Sequence, residues 1–230
     1  MTIFNGIYFM RMWHDIGAYS AIPKPEAHRH SLTLKRLFDM VLASVLMLVF
    51  LPVIGVLTVL VRRDGGPSFF GHMRVGQNGK AFRCWKIRTM VPDAEKVLET
   101  YLAENPAAQA EWDRDFKLTD DPRITSLGRF LRATSLDELP QIVNVLAGEM
   151  SLVGPRPVTR DELKMYGKFE WCYHALKPGL TGPWQVSGRN DVDYSERVKL
   201  DATYYLERST IGDLVILVRT VGVVFRATGR

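Results

Sequence analysis

The longest apolar run in the chain, MVLASVLMLVFLPVIGVLTVLV, extends from Met40 to Val61 and contains no charged residue. About 20 such residues suffice to cross a bilayer. The run starts too far from the N-terminus for a secretory signal, and no small-residue cleavage site follows it. The pattern therefore predicts a membrane-bound protein whose soluble part begins after Arg63.

Pro52 lies in the middle of this run, where it removes a helical hydrogen bond and crowds the preceding turn. We predict a helix that kinks or breaks at Pro52 into arms of roughly 15 to 22 Å, each too short to span alone. Lys35 and Arg36 precede the run and Arg62 and Arg63 follow it, so both flanks carry the cytoplasmic signal. A re-entrant hairpin satisfies both flanks. A kinked single span is the alternative, because proline is tolerated in spanning helices.

The pattern divides the chain into three parts. Residues 1–30 have scattered aromatics, two prolines and no sustained period, which predicts a loosely ordered arm. Residues 31–63 are predicted to form the membrane helix-hairpin, and residues 64–230 a cytosolic domain. The predicted fold class is α+β, mainly helical, with a small β-hairpin and interfacial helices.

The β-hairpin is predicted at the start of the cytosolic domain. Asn78 and Gly79 form a strong two-residue turn signal between strand-like runs. Counting by twos along the second strand puts Lys86 and Arg88 on one face. These cations then lie either on a solvent-exposed face of the strand or along one wall of a binding site.

Helical periodicity predicts most of the remaining elements. They run from Pro92 to about Phe116, over TSLGRFLRATS, from Asp137 onward, around Glu162 to Leu176, and from about Tyr194 to Glu207. The last segment, IGDLVILVRTVGVVF, is very apolar, is interrupted by Arg219 and is too short to span. We predict a helix lying on the lipid headgroups, with a packed core helix as the alternative.

The composition of the chain indicates an anionic binding partner. The net charge is +5 and the pI about 9.2, which leaves nucleic acid, an acidic membrane surface and a phosphorylated metabolite open. Cys84 and Cys172 are far apart and in no CxxC arrangement. They define neither a disulfide framework nor a zinc site, as expected in a reducing cytoplasm.

The stretch SLDELPQ carries an adjacent pair of acids, Asp137 and Glu138. Pro140 is tolerated only in a first helical turn, so the pattern puts the helix N-terminus close to Asp137. One interpretation is structural, with Asp137 as an N-cap and Glu138 solvated. The other is chemical, and it depends on the cations elsewhere in the chain.

The loops supply phosphate-suited cations around this acidic pair: Lys86, Arg88, Arg132, Arg156 and Arg189. The planar fork of arginine matches phosphate oxygens, and Pro155 and Pro157 would fix the direction of Arg156. Nearby positive charge would keep both acids ionised. A carboxylate facing a phosphate can act as a nucleophile and its neighbour as a Mg²⁺ ligand, so the pattern predicts phosphoryl transfer at a membrane surface.

The residues that carry this chemistry resemble a known family, the bacterial sugar transferases, or monotopic polyprenyl-phosphate phosphoglycosyl transferases. The resemblance runs from Lys35 to the end of the chain. It is carried by SLDELPQ, GEMSLVGPRPV, KPGLTG-WQVSGRN (interrupted here by Pro183) and DLVILVRTVGVV. The chain is most similar to the exopolysaccharide-initiating members.

The resemblance implies transfer of a sugar-1-phosphate from a UDP-sugar, UDP-galactose or UDP-glucose, to undecaprenyl phosphate, with release of UMP. It implies that Asp137 forms a covalent phospho-sugar intermediate and that Glu138 holds Mg²⁺. The residues it implies for phosphate binding are Lys86, Arg88, Arg132, Arg156 and Arg189. It also implies a re-entrant helix at Pro52. Leu51 departs from the serine that often precedes that proline.

The resemblance further implies a place at the cytoplasmic face of the inner membrane, in contact with membrane lipid and without a nucleic-acid partner. A homodimer is compatible with the sequence. Two other functions are considered. A membrane-tethered anion-binding protein leaves the acidic pair unexplained, and a simple glycosyltransferase would release UDP instead of UMP. Trp184 could stack on a base or lie at the membrane interface, whereas His72 is interpreted as structural or peripheral.

Overall fold

The computed structural model describes residues 29–115, 117–187 and 193–225. The predicted N-terminal arm lies almost entirely outside these residues. The chain divides into two units, Met1–Lys35 and Arg36–Arg230. The described residues form an α+β fold that is mainly helical, as predicted.

The helices and strands follow one another in a simple order. The helices are α1 Arg29–Val61, α2 Ala94–Glu104, α3 Pro106–Asp115, α4 Ser126–Thr134, α5 Gln141–Ala147, α6 Arg160–Lys164, α7 Glu170–Ala175, α8 Pro183–Val186, α9 Tyr194–Glu207 and α10 Thr210–Phe225. The strands are β1 Phe69–Val75, β2 Ala81–Ile87, β3 Ser151–Val153 and β4 Gly179–Thr181.

Helix α1 contains the predicted membrane segment. Thr33–Asp64 is long and apolar enough to cross a bilayer, with a mean hydropathy of 2.8, and only 17% of its most apolar window is buried. The helical conformation continues across Pro52, so the predicted break into two separate helices is not observed. A proline removes one hydrogen bond, and the bonds on either side preserve the helix. Re-entry into the bilayer stays a prediction.

Both halves of α1 pack against the rest of the Arg36–Arg230 unit. Near the start, the guanidinium of Arg36 donates to the carbonyls of Val145 and Leu146, at 2.7 and 3.1 Å. Near the end, Leu57 and Val61 pack in one apolar cluster with β2 and α4. The same domain therefore contacts both halves of the apolar helix.

Strands β1 and β2 form the predicted antiparallel hairpin, with Phe70 opposite Lys86. The connection is longer than the predicted two residues. It spans residues 76–80, and the amide of Gly76 donates to the carbonyl of Lys80. Asn78 and Gly79 adopt the expected left-handed conformation, with φ of 57° and 75°.

Two predicted helices are each divided in the structure. The segment after Pro92 forms α2 and α3, because the residue before a proline disfavours helical conformation and Pro106 starts the second helix. The segment from 162 to 176 contains α6, a 3₁₀ turn at Gly167–Phe169 and α7. Gly167 has a φ of 51°, which ends the first helical run.

The main apolar core joins the hairpin, α5, α9 and α10 to the first half of α1. Its members include Ala43, Phe82, Ile142, Tyr205 and Ile216. A short parallel pair, β3 with β4, crosses this core and was not predicted, because three-residue strands leave too short a pattern to detect. Helix α10 buries Ile216 and exposes a stripe of apolar residues that consists of Ile211, Leu214, Val218 and Val221.

Candidate active site

The acidic pair lies in a tight connection between two helices. Helix α4 ends at Thr134, and Ser135 takes a left-handed conformation with φ 58° and ψ 17°. A 3₁₀ turn, Leu136–Glu138, follows. Helix α5 starts later than predicted, with Pro140 at its N-cap position and no side-chain cap. The N-cap interpretation of Asp137 is therefore wrong.

Lys86 of β2 faces both carboxylates. Its ammonium lies 2.7 Å from Oε1 of Glu138 and 3.6 Å from Oδ2 of Asp137. Asp137 is only 6% exposed. Burial raises the pKa of the Asp137 carboxyl above its ordinary value, while the charges of Lys86 and Arg132 oppose the rise and that of Glu138 adds to it. Desolvation thus outweighs the stabilising cations that the sequence emphasised.

Arg132, in the last turn of α4, supplies a second cation. Its Nε donates to Oγ1 of Thr89 at 2.9 Å, which fixes the guanidinium against the residues that follow β2. Burial lowers the pKa of Arg132, and the charge of Asp137 opposes this. The approach of α4 to Thr89 depends on Gly128, because a Cβ there would lie 2.0 Å from the Thr89 carbonyl oxygen.

The acidic pair opens into a cleft of about 1350 Å³. Arg156 lines the same cleft and is exposed. Its guanidinium lies 5.6 Å from the ring centroid of Trp184, and it makes no hydrogen bond to the residues that the structure describes. A buried carboxylate, a second acid and several cations, among them Lys86, Arg132 and Arg156, thus share one cleft that is large enough for a nucleotide sugar.

This arrangement suits nucleophilic attack by a carboxylate on a bound phosphate. Comparison with known proteins identifies the family to which the chain belongs. The family model described as bacterial sugar transferase matches residues 30–227. The chain belongs to the bacterial sugar transferase family.

Curated relatives of this sugar transferase support the assignment. The chain is 52% identical over 203 residues to the undecaprenyl-phosphate galactose phosphotransferase of Salmonella typhimurium, which covers 88% of this chain and 43% of the relative. It is 48% identical over 196 residues to the exopolysaccharide production protein ExoY of Rhizobium meliloti, covering 85% and 87%. It is 39% identical over 197 residues to the UDP-glucose:undecaprenyl-phosphate glucose-1-phosphate transferase of Escherichia coli, covering 82% and 39%. This sugar transferase therefore spans about two-fifths of the length of the Salmonella and Escherichia relatives.

Among the predicted phosphate-binding residues of the sugar transferase, the structure brings Lys86, Arg132 and Arg156 together in the cleft with the acidic pair. Arg88 also borders the cleft, but it is only 8% exposed and its guanidinium bonds to protein acceptors. Arg189 lies outside the described residues.

Asn144 of α5 was missed by the sequence analysis. Its carboxamide oxygen accepts from the Trp85 amide at 3.1 Å, and its nitrogen donates to the Arg83 carbonyl at 2.8 Å and to Glu149 at 2.6 Å. These bonds fix α5 to β2 beside Lys86. The one available signal was a polar residue on the apolar face of IVNVL.

Trp184, whose role the sequence left open, and His72, which was interpreted as structural or peripheral, also line the cleft. Trp184 is 5% exposed and lies under Arg156 and Arg197, with the Arg197 guanidinium 4.5 Å from its ring centroid. Its burial argues against a place among lipid headgroups. His72 is exposed on the cleft-facing side of β1, opposite Cys84.

Proposed function

We propose that this sugar transferase moves a hexose-1-phosphate from UDP-galactose or UDP-glucose to undecaprenyl phosphate and so initiates synthesis of an exopolysaccharide or related glycan. The proposal is supported by the names of relatives, which include an undecaprenyl-phosphate galactose phosphotransferase, a UDP-galactose-lipid carrier transferase and a UDP-glucose:undecaprenyl-phosphate glucose-1-phosphate transferase. The observation that carries the mechanism is the buried Asp137 carboxylate, which contacts Lys86, is stabilised in its ionised form by the charge of Arg132, and lines the nucleotide-sized cleft.

In the proposed first half-reaction, a carboxylate oxygen of Asp137 attacks the β-phosphorus of the UDP-sugar. The bond from that phosphorus to the bridging oxygen breaks, and UMP leaves with the electron pair. A phosphate oxygen of undecaprenyl phosphate then attacks the same phosphorus and breaks its bond to Asp137. The products are the lipid diphosphate sugar and the free carboxylate.

The elevated pKa of Asp137 supports this role. A carboxylate that is partly desolvated is a stronger nucleophile than a fully hydrated one, and the charge of Lys86 favours its ionised form against the effect of burial. The positive charge of Lys86 also reduces the repulsion between the two negatively charged acids and an incoming diphosphate. Arg132 and Arg156 are the groups proposed to hold the phosphates, because a guanidinium can donate two parallel hydrogen bonds to phosphate oxygens.

Mg²⁺ is the proposed cofactor, with Glu138 as its protein ligand. The described residues hold no group of three or more His, Cys, Asp or Glu side chains that could form an all-protein metal site. This fits Mg²⁺, which is usually bound by one or two carboxylates together with substrate phosphates and water. When bound, Mg²⁺ would neutralise charge on the diphosphate. Lys86 would then share Glu138 with the ion.

We further propose that α1 re-enters the bilayer from the cytoplasmic face of the inner membrane. A helix that crossed the bilayer would carry its two ends to opposite faces, about 30 Å apart. One polar domain contacts both Arg36 and Val61, which favours two ends on the same face. The exposed apolar stripe of α10 would then lie on the lipid surface, since Ile216 on its buried face packs in the same core as α1.

The decisive experiment measures nucleotide release from nanodisc-held protein given a UDP-hexose, Mg²⁺ and undecaprenyl phosphate. Asp137→Asn is compared with Asp161→Asn, which removes a carboxylate from an exposed ion pair with Lys164. We expect UMP from the wild type and the control and none from Asp137→Asn. Mass analysis of the peptide that contains Asp137 should show a phospho-hexose adduct in the absence of acceptor.

The other outcomes point to the rival functions. Release of UDP instead of UMP would mean simple glycosyl transfer. Absence of nucleotide release with every donor sugar, together with salt-sensitive vesicle binding that survives in Asp137→Asn, would mean a membrane-tethered anion-binding protein.

A further inference from the structure

The guanidinium of Arg88 has all five of its N–H donors directed at protein acceptors. Nε donates to the Pro67 carbonyl at 2.6 Å. Nη1 donates to Asp64 Oδ2 at 2.8 Å and to the Met90 carbonyl at 2.5 Å. Nη2 donates to Asp64 Oδ1 at 2.5 Å and to the Val61 carbonyl at 3.2 Å. Because a guanidinium has five N–H donors in total, none remains for a substrate phosphate.

These acceptors lie where the apolar helix ends and the catalytic domain begins. Val61 is the last residue of α1, and Asp64 ends the 3₁₀ turn that follows it. A cation near the last carbonyls of a helix also complements the negative end of its dipole. Arg88 thus caps the C-terminal end of α1 with hydrogen bonds and with a positive charge that complements the helix dipole.

The connecting turn is built around this guanidinium. The Gly66 amide donates to Asp64 Oδ1 at 3.0 Å, and a Cβ at Gly66 would lie 2.8 Å from Nη2 of Arg88. The Ser68 hydroxyl donates to the Thr58 carbonyl at 2.9 Å, and the Arg88 amide donates to the Ser68 carbonyl at 2.9 Å. The end of the helix and the end of β2 are therefore fixed to each other at several points.

The same short segment contains residues that contact the acidic pair and Arg132. Two residues before Arg88, Lys86 contacts Asp137 and Glu138. One residue after it, Thr89 accepts the hydrogen bond of Arg132. A displacement of Arg88 relative to α1 would therefore move the cations and the acidic pair relative to the membrane.

We propose that Arg88 is a positioning residue that, through Asp64, sets the height of the acidic pair above the lipid surface and thereby controls use of the lipid acceptor. This inference rests on the proposed function. A UDP-sugar reaches the cleft from water, whereas the phosphate of a polyprenyl phosphate stays at the level of the headgroups. Loss of the Arg88–Asp64 contact should therefore impair the second half-reaction more than the first.

The test uses Asp64→Ala and the milder Asp64→Asn, with Asp161→Asn as the ion-pair control. In nanodiscs, we expect Asp64→Ala to raise the KM for undecaprenyl phosphate by about tenfold, the effect of roughly one charge-assisted hydrogen bond. The KM for the UDP-hexose and the exchange of labelled UMP into the UDP-hexose without acceptor should change by less than about twofold. With a short-chain polyprenyl phosphate in detergent, where no bilayer fixes the height of the phosphate, the defect should largely disappear.

Several results would overturn the inference. Equal losses of activity with both acceptors would show that Arg88 does not set the height of the acidic pair above the lipid surface. An unchanged KM for undecaprenyl phosphate in both Asp64 variants would show the same. A loss confined to UMP exchange would mean that Arg88 serves the donor site. If the wild type released no UMP at all, the proposed function itself would fail. An active wild type together with Asp64 variants that show no acceptor defect would instead overturn only the inference about Arg88.

Discussion

The ammonium of Lys86 lies 3.6 Å from the Oδ2 atom of Asp137, across a contact that joins β2 to the 3₁₀ turn after α4. This cation opposes the rise in the pKa of Asp137 that burial causes. The protonation of the proposed nucleophile therefore depends in part on Lys86, whose charge is the largest of the effects that lower its pKa.

Lys86→Met should shift the pH dependence of UMP release. The reaction needs ionised Asp137, so the rate falls as pH drops through the pKa of that carboxyl. Removing a cation at this distance raises the pKa of Asp137 further, so the acid limb of kcat/KM should move to higher pH. The measurement is a pH–rate profile between about pH 5 and 8.

The control for this profile is Lys164→Met, which removes an exposed lysine paired with Asp161 and should leave the acid limb in place. An acid limb that stays in place in Lys86→Met, while the rate falls at every pH, would mean that Lys86 acts on the substrate and not on Asp137.

Arg156→Ala should leave the fold intact and weaken donor use. Arg156 is exposed in the cleft, and its guanidinium lies against the Trp184 ring without a hydrogen bond to any residue that the structure describes. Loss of a charge-assisted hydrogen bond to phosphate, worth about 1.5–3 kcal/mol, lowers kcat/KM for the UDP-hexose by roughly 10- to 100-fold. Arg160→Ala removes an exposed arginine that does not line the cleft, and serves as the control. Equal kinetics in the two variants would exclude Arg156 from donor binding.

Gly128→Ala should displace Arg132. The new Cβ would lie 2.0 Å from the Thr89 carbonyl oxygen, so α4 must move away from the residue that holds the Arg132 guanidinium. We expect a loss of about 1–3 kcal/mol in the free energy of unfolding and a lower kcat. In the control variant Gly222→Ala, nothing lies within 4 Å of the added Cβ. It should lower neither the free energy of unfolding nor kcat. Wild-type stability and kinetics in Gly128→Ala would contradict the close packing.

Asp201 should make the domain less stable as pH rises. It is buried, it accepts a hydrogen bond from Tyr166 at 2.8 Å, and burial raises its pKa to about 7 while Tyr166 and Arg197 oppose the rise. Between the ordinary pKa near 3.8 and 7, the folded state binds more protons than the unfolded state, so stability is fully present at low pH and decreases through this window. The loss amounts to a few kcal/mol at most.

The measurement is the unfolding temperature of the purified protein in detergent from about pH 4 to 8. Asp201→Asn cannot ionise, so its profile should be flatter than that of the wild type, whatever its absolute stability. Parallel profiles would show that other groups cause the pH dependence.

Cysteine labelling distinguishes re-entry from crossing. The native cysteines, Cys84 and Cys172, are buried, whereas Leu34 and Arg63 are exposed at the two flanks of the apolar run. Re-entry predicts that Leu34→Cys and Arg63→Cys both react with an impermeant maleimide from the cytoplasmic side only. Reaction of one variant from each side would establish a spanning helix.

The sequence by itself determined the elements whose signal is local. The charge-free run gave the apolar helix, Asn78 and Gly79 gave the hairpin, and periodicity located α9 with its observed bounds, Tyr194–Glu207. These features depend on residues a few positions apart, so a single stretch contains all the information that is needed. The acidic pair was found in the same way, because its two residues are adjacent.

Only the tertiary structure decided how the cations divide their roles. Alternation put Lys86 and Arg88 on one strand face, yet β2 ends at Ile87, and the two side chains bind different acids. Lys86 meets an acid 52 positions away, whereas Arg88 meets Asp64, 24 positions earlier. Asn144 likewise joins α5 to a strand about 60 positions earlier. Such partners are chosen by packing of distant segments, and a buried donor must be satisfied by whichever acceptor the fold brings near it.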